Sequence, residues 1–508
     1  MKKLNKKDKN VRGPVSTLIG FIIILCILSF ILNKIGFQGY QTIISNGILA
    51  DTVVKVRNII STAGIRFLAG DIVTNLRNFE PLALLIISLI GIGIVEKSGF
   101  FNILFKPLKR VKFGIIIYLT IFISLLSTIF GEYSYAFLIP FVGVLYKCLD
   151  RNPLLGIIIA YLSFTLGFGT GIVLNYNDYS LGLLTQTAAR VDVDPDFVYS
   201  LTSTFYIKIV SFICISFLLY ATIVRFLLPK FPLKAKVEEL EFHDSKKGFL
   251  CALFAGFLFL LLVIYMILDI QLPGAGILLD KNATTYIAKL FGDHAPFKEG
   301  IVIVISAVLM ICGFIYGKIS GNIKNSNAYS LGLSKDFENV GLLFVLFFFT
   351  AELFAILDWT NINVVVASNL IAFLSKLQFS GILLIVVMFI GIVIMSLLIP
   401  NTQTKWQIAS PVLVPLFMRA NIAPNFTQFI FQIADSVGKV FSPIFAYFIM
   451  MLAFLQKYNT DERKQITIGG VLKIMLPTIL LISLYWILFI CLWFLIGFPI
   501  GMGTYIAL

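Results

Sequence analysis

Residues 131–171 read GEYSYAFLIPFVGVLYKCLDRNPLLGIIIAYLSFTLGFGTG, and residues 402–442 read TQTKWQIASPVLVPLFMRANIAPNFTQFIFQIADSVGKVFS. Set one above the other, Pro140 falls on Pro411, Pro153 on Pro424 and Gly167 on Gly438, with Tyr135 on Trp406. Each stretch runs in the same order: a polar turn, a short apolar arm, Pro, a longer apolar arm, then a polar break containing Gly. That order describes a re-entrant hairpin followed by a broken helix. Unwound backbone is tolerated at membrane depth only where it lines a buried cavity. Broken helix ends supply partial charges there for ions and anionic groups. Chance alignment of prolines in apolar sequence is the bland alternative, and the shared order at one constant spacing weighs against it. That the two units are inverted relative to one another follows by analogy with transporter repeats.

The surrounding chain agrees with a membrane setting. Of 508 residues, 59% are hydrophobic and 13% charged, and the mean hydropathy is +0.96. A soluble globule has no interior for so much apolar surface, so lipid must solvate it. The apolar runs are continuous, not alternating, which indicates helices and not barrel strands. The net charge of +14 sits in short segments flanking apolar runs, the pattern of cytoplasmic loops facing anionic lipid and not of nucleic-acid binding. Cys26, Cys148, Cys214, Cys251, Cys312 and Cys491 have no paired spacing and read as free thiols. The two histidines, His243 and His294, lie in polar loops, which speaks against metal or triad chemistry and so against an enzyme. No cofactor motif appears. A scaffold reading falls away, because a scaffold needs no matched broken hairpins; a channel stays open as a reading, with the lack of a repeated filter sequence against it.

The first apolar run, Thr17–Asn33, follows a basic N-terminus and reads as an uncleaved first helix with that terminus in the cytoplasm. Residues 36–79 are of mixed polarity, external and partly helical. Cation-rich loops at 97–112, 230–247, 318–335 and 457–464 face inward, and cation-poor 269–298 faces outward. An all-α polytopic membrane protein results, with an odd number of full spans and the interrupted runs as re-entrant pieces. Its parts divide into a basic terminus (1–16), scaffold helices and external segment (17–112), the first hairpin and broken helix (113–190), further scaffold (191–358), the second hairpin and broken helix (359–458) and a C-terminal helix (459–508). The localisation implied is the inner membrane.

Ionisable groups inside apolar runs are expensive and mark function by default. Asp435 lies in the second polar break with Lys439 one turn on; it reads as a cation or solute ligand, or as half of an ion pair with Lys439. Asp178 follows the first break beside Asn175 and Asn177, a set that could bind or could cap a loop. Glu132 stands at the first polar turn and Trp406 at the second, where a Trp either stacks on an aromatic solute or anchors the turn. Lys405 snorkels or neutralises an acid. Glu352 relays a proton or makes a packing hydrogen bond, and Asp358 and Trp359 look interfacial.

At these residues the chain resembles the AbgT family, the p-aminobenzoyl-glutamate transporters, over most of its length. The marks are GIGIVEKSGF (91–100), YAFLIP (135–140), Asp178 with LGLLTQTAA (181–189), TKWQIASPVLVPLFM (404–418), ADSVGKVFSPIFAYF (434–448), FLQKY (454–458) and GFPIGMG (497–503). The resemblance implies a dimeric elevator-type transporter of the ion-transporter superfamily, with about nine spanning helices and two hairpins per subunit. It implies cation-coupled movement of p-aminobenzoyl-glutamate or related folate fragments, with sulfonamide efflux in some members. Family binding positions map onto Asp178, Trp406, Asp435 and Pro443, and a position usually Ser is Gln403 here.

The departures gather at the same places. Gly169-Thr170-Gly171 stands where the family has an Asn-containing break, Ser396 where it has Asn, Pro400 where it has Gly, and Gly438-Lys439 where it has Thr-Asn. Amides that could ligate sodium are thus lost, which makes Asp435 a doubtful sodium site and Lys439 a candidate tethered cation. Transport then runs on protons or uncoupled; if Lys439 instead points away, sodium binds elsewhere through main-chain carbonyls, so the coupling ion is a proton or sodium. A transporter of another small carboxylate, with altered or absent sodium coupling, is the alternative.

Overall fold

The structure is a computed structural model that describes residues 13–45, 48–172, 175–233, 242–292, 294–377, 379–459 and 466–508. The basic N-terminus through Arg12, with Lys234, Lys236, Arg463 and Lys464, lies outside the described residues. Nine helices among the described residues are long and apolar enough to cross a bilayer: Pro14–Ile35, Glu80–Ser98, Phe113–Phe130, Leu201–Lys230, Lys246–Ile267, Pro296–Ser320, Gly341–Thr360, Gly381–Leu398 and Ile468–Ile496. At about 1.5 Å per residue, the 22 residues of Pro14–Ile35 match a hydrocarbon core of roughly 30 Å. This helix opens on Pro14 and closes on Gly36, whose φ of 74° is the left-handed cap that favours glycine. Pro14–Ile35 and Lys246–Ile267 leave most of their surface outside the bundle, so their Leu, Ile and Phe side chains face lipid.

The expectation of an all-α chain needs one correction. Within 36–79, strands β1 (Gln38–Ser45) and β2 (Ile48–Lys55) form an antiparallel hairpin, followed by short helices Thr62–Gly70 and Ile72–Arg77. The period-2 runs QGYQTIIS and ILADTVVK, with an Asn-Gly dipeptide between them in the sequence, carry that signal.

The two sequence units, with the helix that follows the first, pack around one core. The first unit comprises α1 (Phe113–Leu126), α2 (Tyr133–Cys148), α3 (Pro153–Leu166) and α4 (Tyr176–Asp192), followed by α5 (Phe205–Thr222). The second opens on the helix Ile362–Lys376 and continues with α6 (Gly381–Leu398), α7 (Thr402–Arg419), α8 (Pro424–Phe441) and α9 (Ala446–Lys457). The prolines that define the alignment act alike: Pro153 and Pro424 start α3 and α8, where a missing N–H costs nothing. Asparagines close the polar turns, with Asn175 accepting from Asp178 N and Asn401 from Thr404 N at the starts of α4 and α7. The packing is reciprocal. Helix α3 packs on α1 and α2, and α8 on α6 and α7, while α4 packs on α7 and α9 on α2, and α3 crosses α8.

The second break lies later than the sequence suggested. Asp435, Gly438 and Lys439 belong to a continuous α8, and the chain unwinds only at 442–445, around Pro443, before α9 turns away by 41°. Gly438 stays helical because it is a contact point: a Cβ there would lie 2.4 Å from Ser396 Cβ and 2.8 Å from Val393 O of α6. Gly438→Ala is therefore expected to push α6 away and cost about 1–3 kcal/mol, read as a lowered Tm in detergent; an unchanged Tm would show that the two helices are not in that contact.

Candidate functional site

Every residue of α8 from Pro424 to Val440 is buried, yet one side of it is polar. Asn425, Gln428, Gln432, Asp435 and Lys439 recur at three- and four-residue steps, which stacks them along a single face of a helix. A polar stripe through the middle of an apolar bundle is costly unless each group finds a partner. The partners come from both units, and they define the site.

Asp435 and Lys405 are each 0% exposed and form an ion pair. The two carboxylate oxygens of Asp435 receive four protein donors. Oδ1 takes Lys405 Nζ and, at 2.8 Å, Ser396 Oγ. Oδ2 takes Thr402 Oγ1 at 2.6 Å and Lys439 Nζ at 3.4 Å. A carboxylate offers about four lone-pair positions, so this one is filled by its own protein. Lys405 reaches further to Ser396 Oγ at 3.2 Å and Pro400 O at 3.4 Å; it neutralises an acid and does not snorkel.

Lys439, also 0% exposed, makes a second ion pair with Glu132 of the first polar turn, and its ammonium donates to Thr402 Oγ1. It lies 4.5 Å from the ring centroid of Phe168 and 5.4 Å from that of Phe445, a geometry in which ring faces help hold a desolvated cation. Phe168 comes from the first break and Phe445 from the second. The cluster of two acids and two lysines is thus neutral and assembled from both units.

A second buried pair lies one turn along the stripe. Asp178, in the first turn of α4, pairs with Lys208 of α5, at side-chain exposures of 3% and 5%, and accepts from Gln432 Nε2 at 2.9 Å. Next to it runs a hydrogen-bonded chain: Trp406 Nε1 donates to Thr185 Oγ1 (2.9 Å), Thr185 to Gln428 Oε1 (2.6 Å), and Gln428 Nε2 to Tyr199 OH (3.0 Å). Trp406 is fully buried and packs on Phe431 with ring centroids 4.4 Å apart.

Beside the Asp435 cluster opens a cavity of about 90 Å³, bordered by Glu80, Glu132, Tyr133, Tyr176, Gln403 and Tyr447 among others. That holds several waters but is well short of the roughly 300–1,000 Å³ of a site closed around a drug-sized ligand. The N-terminal ends of α2, α4 and α7 border it through Tyr133, Tyr176 and Thr402, and such ends carry positive partial charge. Gln403 Nε2 donates to Tyr176 OH at 2.8 Å across it, joining the second unit to the first.

The residues chosen from sequence sort into three groups. Glu132, Asp435 and Lys439 meet in one cluster, with Gln403 and Asn177 on the adjoining cavity. Asp178 forms the neighbouring pair, capped by Asn175, while Gly169 packs on Gln432 and Ile433 of α8. Gly171 is buried in the first break, Pro443 sits in the second, and Trp406 is buried against Phe431 of α8. Glu352 stands apart from this cluster and accepts from Asn75 Nδ2 at 3.2 Å. Asp358 accepts from Asn363, and Trp359 stacks on Phe67. Lys208 was missed, although it lies in the apolar run FYIKIVSF and the rule that singled out Asp435 applies to it. Glu80, Tyr133, Tyr176 and Tyr447 carry no signal of their own, because only folding brings them to the cavity.

Apolar spans enclosing a neutralised charge cluster, with interrupted helices from two units meeting beside a small polar cavity, define a multi-pass membrane transporter. The chain belongs to the AbgT putative transporter family, whose model it matches over residues 2–508, and the family consists of transporters, not enzymes. It is 25% identical, over 97% of its length and 94% of the relative's, to the p-aminobenzoyl-glutamate transport protein of Escherichia coli strain K12. Two solved structures share the fold. One is the YdaH transporter of Alcanivorax borkumensis, described as having an unusual topology, with a TM-score of 0.51 and 23% identity over 97% of this chain and 100% of that one. The other is MtrF of Neisseria gonorrhoeae, described among antimetabolite efflux pumps, with a TM-score of 0.50 and 24% identity over 98% of each chain.

Proposed function

We propose that the chain is a secondary transporter of small aromatic or carboxylate solutes, p-aminobenzoyl-glutamate or related folate fragments, in the inner membrane. Sulfonamides are candidate solutes for export. It works by alternating access as an elevator-type homodimer, with the two units as an inverted repeat. The observation that carries this reading is the meeting of both units at one buried charge cluster, Glu132 with Lys439 and Asp435. The reciprocal packing of α2 on α9 and α7 on α4 supports the repeat. The small cavity supports a state closed around the site, which has to open for a solute to enter.

The coupling cation is a proton, or transport is uncoupled. Four donors already surround the Asp435 carboxylate, two of them ammonium groups. A sodium ion there would have to displace a lysine that interacts with the same charge at short range in a low dielectric. Lys439 acts as the tethered cation in its place. Uptake of radiolabelled p-aminobenzoyl-glutamate into proteoliposomes is expected to be equal with and without an inward sodium gradient. Clear stimulation by sodium refutes this.

One observation favours a second reading within the same class. Gln403, tied to Tyr176, narrows the cavity from the start of α7, which suits a smaller dicarboxylate or short-chain acid. Competition of such acids against labelled p-aminobenzoyl-glutamate separates the two.

A further inference from the structure

We infer that Lys439 is the anchor for a carboxylate of the solute, and that Glu132 holds the solute's place in the empty protein. This rests on the transport reading above and names the chemical group that the site recognises. Lys439 is fixed between the rings of Phe168 and Phe445 and needs negative charge beside it, because an unpaired buried ammonium is strongly destabilising. It has two carboxylate partners of different character. Asp435 is 0% exposed and held by Ser396, Thr402 and Lys405 as well, so it cannot leave. Glu132 sits on the first polar turn beside the cavity and keeps 25% of its side chain exposed. Among the described residues, its ion pair is with Lys439 alone. It is the exchangeable partner.

Charge balance then sets what can replace it. Lys405 and Lys439 against Asp435 leave one uncompensated positive charge when Glu132 swings into the cavity. A solute carboxylate restores neutrality and accepts the hydrogen bond that Lys439 now gives to Glu132. A neutral carboxamide cannot supply that charge. The helix N-termini bordering the cavity favour the same sign. Glu132 therefore competes with the solute, and its removal strengthens binding.

The test is calorimetric titration of the purified full-length protein with p-aminobenzoyl-glutamate and with its neutral bisamide. Hydrogen bonds to charged groups are worth about 1.5–3 kcal/mol, or roughly tenfold to a hundredfold in affinity. Glu132→Gln, and Glu132→Ala as a second variant, are expected to bind the acid at least about tenfold more tightly with little change for the bisamide. Lys439→Gln is expected to bring the two affinities within about threefold of each other. Weaker binding of the acid by both Glu132 variants, or an unchanged acid-to-amide ratio in Lys439→Gln, overturns the inference while leaving the transporter reading intact. Absence of binding of either compound by the native protein overturns the proposed solute class and this inference together.

Discussion

Asp435→Asn is expected to abolish solute uptake and to lower the unfolding free energy by about 3–5 kcal/mol, the usual cost of removing one partner from a buried ion pair. The physical reason lies in what the substitution leaves behind. Lys405 and Lys439 are both 0% exposed, and without the Asp435 carboxylate they share Glu132 alone, which already serves Lys439. Lys405 would retain Ser396 Oγ and Pro400 O, neutral acceptors at 3.2 and 3.4 Å, too weak to balance a desolvated ammonium. The Asn amide would also present N–H groups to hydroxyls that now donate to the acid. Pairing the change with Lys405→Met removes the orphaned charge, so the double variant should regain most of the stability and none of the transport. Thermal unfolding and proteoliposome uptake, measured on the same preparations, separate these effects. A single variant with unchanged Tm would mean that water reaches the cluster and screens it.

Lys208→Met should have a comparable effect for a related reason. Asp178 would lose its only cation among the described residues and keep Gln432 Nε2 as a neutral donor. With both groups 5% exposed or less, a loss of about 3–5 kcal/mol is expected. Asp178→Asn combined with Lys208→Met should recover most of it, since replacing both members of a buried pair by neutral groups is often close to neutral. A double-mutant cycle on Tm gives the coupling directly, and an interaction below about 0.5 kcal/mol would place the two side chains apart. Because Lys208 belongs to α5 and Asp178 to α4, the pair also ties the first unit's broken helix to the helix that follows it.

Much of this site is readable from one comparison of two stretches of sequence. Pro140 with Pro411 and Pro153 with Pro424 mark helix positions that a chain-wide hydropathy count would blur. They located the turns from which Glu132 and Thr402 approach the same cluster. What resisted reading has definite causes. Gly438 looks like a breaker in sequence, but its missing Cβ serves the contact with Ser396, so the helix carries Asp435 and Lys439 on without interruption. The partnership of Lys405 with Asp435 is not local, and the sequence shows only that both are misplaced in apolar surroundings. Lys439 was assigned to Asp435 from its spacing, and it does reach that acid, but its closer carboxylate is Glu132, from the other unit. Such a contact depends on how the two units interlock, which neither stretch shows by itself. The β1–β2 hairpin is legible in the alternating runs QGYQTIIS and ILADTVVK.

The meeting of the two units beside the proposed solute cavity is most directly tested by chemical protection. Gln403 borders that cavity and bonds across it to Tyr176. With the six native cysteines replaced and Gln403→Cys introduced, a water-soluble thiol reagent should modify the new side chain in proteoliposomes. Saturating p-aminobenzoyl-glutamate should slow that modification several-fold, roughly as site occupancy excludes the reagent. Modification at the same rate with and without a solute that the same vesicles accumulate would place the solute elsewhere and contradict the site described here.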